Sequence, residues 1–163
     1  MKKYEFTGET KKAGIFGEIT LKRIRAVVEF GFVKVGDLGG WIEKEENLSH
    51  EGKAWVWGNA EVCGNAEVCG NAKVCGDAKV CGNAKVYSAN HVLVIGAIGS
   101  RNAFTTFYRD KDNEITVRCG CFLGKIDKFL EKVTQTHGDS KYALVYRSAV
   151  ELAKMQIDLS SDS

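Results

Sequence analysis

From Val56 the chain repeats one apolar–polar pattern six times, VWGNAE, VCGNAE, VCGNAK, VCGDAK, VCGNAK and VYSANH, ending at His91. In-register copies of a short unit are the signature of a repeat architecture. The valine and the alanine four places later are the consistently apolar residues of the unit, so both are expected to face inward. The Gly-Asn between them supplies a corner, because both residues tolerate left-handed backbone. Outside the repeat the period changes. Tyr4 and Phe6 alternate and ITLKRIRAV (19–27) alternates loosely, which favours strands; a helix over 20–29 is the alternative, since Leu21, Ile24 and Val28 also share a helical face. AFTTFYR (103–109) and EITVRCGC (114–121) flank the turn-rich DKDN and predict a hairpin. Ile126, Phe129, Leu130 and Val133 have helical spacing, with Gly138 as a stop. A second helix, capped by Asp139, is expected to about residue 156 with Tyr142, Val145, Ala149 and Leu152 along one face.

The repeat resembles the hexapeptide repeat of left-handed β-helices, in which three hexads make one triangular turn and residues eighteen apart stack. That handedness runs against the general crossover preference and is taken from the resemblance. It implies three inner ladders: Val56–Val74–Val92, Val62–Val80–Ile98 and Val68–Val86. It also places Glu61 beside Lys79 and Glu67 beside Lys85, two opposite-charge cross-strand pairs. Upstream, the same register puts Lys44 and His50 inward, so EKEENLSHEG (43–52) reads as a degenerate turn with an excursion. The expected fold is therefore mainly β: a left-handed parallel β-helix, a hexapeptide-repeat solenoid, with an N-terminal β-rich cap and a small C-terminal α+β unit of hairpin plus two helices. The boundaries are 1–37, 38–100 and 101–158, with a tail over 159–163.

Composition narrows the function classes. Of 163 residues 44% are hydrophobic and 27% charged, ordinary for a globular protein. A net charge of +2 lacks the basic excess of a nucleic-acid binder, and Lys22, Arg23 and Arg25 read as a solvated strand or loop. No apolar run approaches the ~20 residues of a membrane helix. MKKYEFTGETKK has no apolar core after its charged start, so it is no signal peptide. A cytoplasmic protein with reduced thiols is expected.

Candidate chemistry is sparse. Cys63, Cys69, Cys75 and Cys81 lie six apart and diverge around the repeat, so they do not converge as a tetrahedral metal site requires. Cys119-Gly120-Cys121 could put two sulfurs on one strand face, but no further ligands accompany them. No metal, cofactor or catalytic residue is assigned. The residues after each repeat valine, Trp57, Cys63, Cys69, Cys75, Cys81, Tyr87 and Leu93, form an apolar outer stripe that something is expected to cover: the C-terminal helices or a second subunit. Trp55, Lys73 and His91 fall on one outer line and are the candidate ligand-binding residues, with a Trp–Lys contact either decorating the surface or flooring an anionic-ligand site.

Nearly the whole chain resembles hexapeptide-repeat proteins encoded by phages and prophages. GDLGGWIEKEENLSHEG (36–52), the G-N-A repeat and SRNAFTTFYRDKDNEITVRCGCFLGKIDKFLEKVTQTHGDSKY (100–142) carry the resemblance. Where that family often has tyrosine after the repeat valine, this chain mostly has cysteine. The family has no agreed activity; the resemblance implies an accessory phage protein in the host bacterial cytoplasm, and hexapeptide-repeat folds imply a homo-oligomer, a trimer first. The reading that follows is a non-enzymatic binding protein that engages a host protein or a small signalling nucleotide. The alternatives are an acyl-CoA-dependent acyltransferase using His91 as base, which lacks an orienting carboxylate, and a virion structural or decoration protein.

Overall fold

The computed structural model describes residues 2–160; the last three residues of the expected tail lie outside them. An antiparallel pair, β1 (Tyr4–Ala13) and β2 (Ile19–Ala26), continues antiparallel onto β3 (Leu38–Ile42). Six two-residue strands follow at six-residue intervals: β4 (Trp55–Val56), β5 (Glu61–Val62), β6 (Glu67–Val68), β7 (Lys73–Val74), β8 (Lys79–Val80) and β9 (Lys85–Val86). An antiparallel four-stranded sheet comes next, β10 (Val92–Ile98), β11 (Ala103–Arg109), β12 (Ile115–Cys119) and β13 (Phe122–Lys125). Two helices close the chain, α1 (Ile126–His137) and α2 (Lys141–Gln156).

The local register holds. Val56 pairs with Val74, Val62 with Val80 and Val68 with Val86, all in parallel. The repeat valines and the alanines Ala60, Ala66, Ala72, Ala78 and Ala84 are at most 1% exposed, so each valine contributes about 1.5–3 kcal/mol of burial. Gly64, at φ +64°, shows why the corner takes glycine: a Cβ would sit 3.1 Å from the Gly82 nitrogen of the paired segment.

The expected left-handed parallel β-helix is overturned. The structure is mixed, with four small sheets, parallel and antiparallel, and two helices, and the repeat does not propagate into a solenoid. The sheets β4–β7 and β6–β9 hold two strands each, and β5–β8 is continued by β3, parallel to β5, and then by the antiparallel strands β2 and β1. Val92 and Ile98, expected on the Val74 and Val80 ladders, pair instead with Tyr108 and Ala103 in antiparallel β11. The cause is local. After Val86 the Gly-Asn corner is replaced by Ser88-Ala89-Asn90, which starts a 3-10 turn with the Ser88 hydroxyl accepting from the Asn90 N–H. The chain then enters a seven-residue strand that its hairpin partner completes.

The upstream register is corrected too. Ile42 pairs with Val62 and Leu48 with Val68, twenty residues apart, not eighteen. Leu48 and Ile42 are therefore the buried residues, in place of Lys44 and His50. Asn47 makes the excursion possible: its amide oxygen accepts from the Glu43 and Lys44 N–H groups, and its nitrogen donates to the Gly64 and Ala66 carbonyls.

Side-chain and backbone groups from β11 and its turn finish the exposed edges of the repeat strands, where open ladder groups would otherwise be a liability. The Lys79 N–H donates to Thr106 Oγ1 at 3.0 Å, Arg109 Nε donates to the Lys85 carbonyl at 2.9 Å, and the Lys111 N–H reaches the Asn83 carbonyl at 2.9 Å. Two apolar cores result. One lies inside the repeat and under β1–β3; the other fills the space between the β10–β13 sheet and the helices. Among the described residues, no helix is long and apolar enough to cross a membrane.

Candidate functional site

Trp55, Lys73 and His91 do not meet. Trp55 and Lys73 are paired in register, but the Trp55 ring is fully buried between Tyr4 and Phe30, with centroids at 6.2 and 5.3 Å. Lys73 turns outward toward Phe32. His91 is enclosed in the 3-10 turn, where Nδ1 accepts the Tyr87 N–H at 3.0 Å. That bond puts the proton on Nε2, which is buried without a partner among the described residues, as is Trp55 Nε1. Burial, then the charge of Arg109, holds the imidazole below its usual range. His91 is thus a packed neutral side chain, and it lines neither principal cavity.

The cysteines separate for a simple reason. Gly120, at φ +58°, occupies the first position of the two-residue turn between β12 and β13, where a primed hairpin turn needs positive φ. Cys119 therefore ends a strand and Cys121 sits exposed in the turn, so they do not share a face. Among the described residues no group of three or more His, Cys, Asp or Glu could hold a metal ion. The outer stripe is partly covered: Cys81 lies buried against Tyr108 and Arg118 of the sheet, and Leu93 packs into the core under the helices.

One of two principal cavities, of about 490 Å³, lies in the C-terminal unit between the β12–β13 turn, the β10–β11 turn and the helices. Its floor is aromatic. Phe122 packs on Phe129 at 5.5 Å, and Phe129 meets Tyr146 edge-to-face at 5.7 Å. Phe129 comes from the apolar stripe of α1 and Tyr146 from α2, brought together by Gly138, whose φ of +57° ends α1. Gly99 makes the close approach of Tyr146 possible, because a Cβ there would lie 1.9 Å from the Tyr146 hydroxyl. Burial, then the neighbouring Cys119, pushes that phenol above its usual range.

The rim is basic. Arg101, Lys132 and His137 line the cavity and no carboxylate does. Among the described residues neither Arg101 nor Lys132 takes part in an ion pair. The C-terminal end of α1 carries roughly half a negative charge, which two full cations outweigh. His137 stacks on Tyr146 at 5.7 Å and an interplanar angle of 26°, extending the flat surface to the rim. Sequence reasoning missed this site because its residues come from four segments with no common spacing. The signal available was the aromatic residues at 122, 129 and 146, of which periodicity placed only Phe129 on an apolar helix face.

Fold and cavity together define a small mixed α/β protein with an aromatic-floored, cation-rimmed pocket. No protein-family model matches the chain, and no curated protein is significantly similar to it.

Proposed function

We propose that the protein is a non-enzymatic, homo-oligomeric binding protein whose C-terminal cavity takes a small anionic ligand with a flat aromatic part, a nucleotide in chemical class. The observation that carries this is the cavity: a volume within the ~300–1,000 Å³ of small-molecule sites, an aromatic floor for stacking and an unpaired basic rim for phosphate. The family resemblance of the sequence adds the setting of a phage accessory protein in the host bacterial cytoplasm, where such a ligand would be a signalling nucleotide. The acyltransferase reading receives no support from His91, which is enclosed and has no path to a substrate.

Isothermal titration with mononucleotides and cyclic dinucleotides tests the proposal. At least one is expected to bind, and Arg101→Ala with Lys132→Ala to weaken it by about tenfold or more, as the loss of a charged hydrogen bond implies. Absence of binding by the whole panel at millimolar concentration would remove the nucleotide reading. Light scattering on the purified protein is expected to give a trimer; a monomer would remove the oligomeric part.

A further inference from the structure

Among the cysteines, Cys63 and Cys81 alone stand side by side on paired strands. Each follows a valine of the Val62–Val80 pair, and the Cys63 N–H donates to the Val80 carbonyl at 2.9 Å. Neighbouring strands run about 4.8 Å apart, within the Cα separation a disulfide spans. The two thiols interact, each shifting the other's titration. Two strands of the C-terminal sheet close over them. The Tyr108 hydroxyl, from β11, lies 3.7 Å from Cys81 Sγ, and Arg118 Nη1, from β12, lies 3.3 Å from it.

The charges assign the roles. Arg118 has no carboxylate partner among the described ion pairs; its Nε donates to the Gly120 carbonyl and its Nη1 to the sulfur. Glu43 lies near Cys63 and opposes a negative charge there. The guanidinium 3.3 Å from Cys81 Sγ favours the charge on Cys81 and leaves the proton with Cys63. The hydrogen bond from Cys63, with the Arg118 charge and the Tyr108 hydroxyl, overcomes burial and brings Cys81 down to about 6. Only Cys81 is nearly enclosed, at 4% exposure; Cys63 is half-buried and leaves an entry for a small reagent.

We propose that Cys63 and Cys81 form a peroxide-reactive dithiol, a modification site in which Cys81 attacks and Cys63 resolves. The Cys81 thiolate attacks one oxygen of hydrogen peroxide; an S–O bond forms, the O–O bond breaks, and the departing hydroxide takes a proton from solvent to leave as water. The Cys63 sulfur then attacks the sulfenic acid of Cys81. An S–S bond forms, the S–O bond breaks, and the second water leaves with the Cys63 proton. Two thiols have lost two electrons to one peroxide, and a dithiol reductant reverses the change. The site is distinct from the nucleotide cavity and does not depend on that reading.

The test is to treat the reduced protein with one equivalent of hydrogen peroxide at about neutral pH, block the remaining thiols by alkylation and map the peptides. Trypsin separates the two cysteines at Lys73 and Lys79. The expected first product is a Cys63–Cys81 disulfide, formed before oxidation of the exposed Cys75 or Cys121. Cys63→Ser is expected to stop at a Cys81 sulfenic acid that dimedone traps. Arg118→Met is expected to slow disulfide formation by about tenfold, since the thiolate and not the thiol reacts. Oxidation of Cys75 or Cys121 ahead of the pair would overturn the proposal, and this wild-type mapping needs no variant to fold. Unchanged kinetics in a folded Arg118→Met would overturn it equally.

Discussion

Lys125 Nζ lies 2.8 Å from a carboxylate oxygen of Asp110, a side chain all but enclosed at the turn that docks the β11–β12 hairpin onto the repeat. Asp110 also accepts from the Thr116 hydroxyl at 2.6 Å and from the Asp112 and Glu114 N–H groups. The same residue bridges to Ala84. One buried carboxylate thus organises the turn and fixes its contact with the last repeat strands.

Asp110→Ala is expected to cost about 1.5–3 kcal/mol, the range for hydrogen bonds to a charged group, read from denaturant midpoints, because Lys125 is partly exposed and keeps Asp112 and Glu114 as partners. Burial alone would raise the carboxyl, but the bonds from Lys125, Thr116 and the backbone hold it below its usual range. A depressed acid adds stability above its unfolded value of about 3.9 and loses it as pH falls through the lower folded value. Wild type should therefore lose stability relative to Asp110→Asn below about pH 4. Parallel acid titrations of the two proteins check this; matching curves would contradict it.

Lys3 gives the opposite kind of pH dependence. Its ammonium donates to the Ala54 carbonyl at 2.7 Å beneath the Phe30 ring, and burial brings it down to about 8. The unfolded chain keeps that proton until about pH 10.4. Stability should then rise with pH between these values, because the unfolded state holds more protons. Lys3→Met lacks the effect, so the difference in denaturant midpoint should shift toward wild type between about pH 7.5 and 10.

Val80 is fully buried and pairs with Val62. Val80→Ala should cost about 1.5–3 kcal/mol, and Val80→Lys should abolish folding, since nothing beside it can pair a charge. An unchanged Tm for the lysine variant would show that the inner register is wrong.

Glu67 forms an ion pair with Lys85 across the β6–β9 pair and accepts the Tyr87 hydroxyl at 3.1 Å. Both ionic partners are partly exposed, so the coupling should be about 0.2–1 kcal/mol. A double-mutant cycle with Glu67→Gln and Lys85→Met measures it, and the coupling should shrink in about 1 M salt as screening shortens to ~3 Å.

Much of the local structure was legible from the chain itself. The valine spacing determined the parallel partners at eighteen residues, and with them the Glu61–Lys79 and Glu67–Lys85 neighbours. The helical spacing of Ile126, Phe129, Leu130 and Val133 located α1, and DKDN located the turn between β11 and β12. These features are periodic or adjacent in sequence, so side-chain size and backbone freedom decide them without reference to the rest of the molecule.

The tertiary structure completed the fold class: Ser88-Ala89-Asn90 ends the repeat locally, but the strand that Val92 then enters is set by its pairing with β11. It also decided that Trp55 is buried, since Tyr4 and Phe30 arrive from the N-terminal unit to cover it. The guanidinium of Arg118 beside Cys81, 37 residues away, and the meeting of Phe122, Phe129 and Tyr146 under a basic rim are of the same kind. Such contacts join segments whose periods differ. Only packing in three dimensions, where each side chain's reach and charge meet another element's open edge, brings them together.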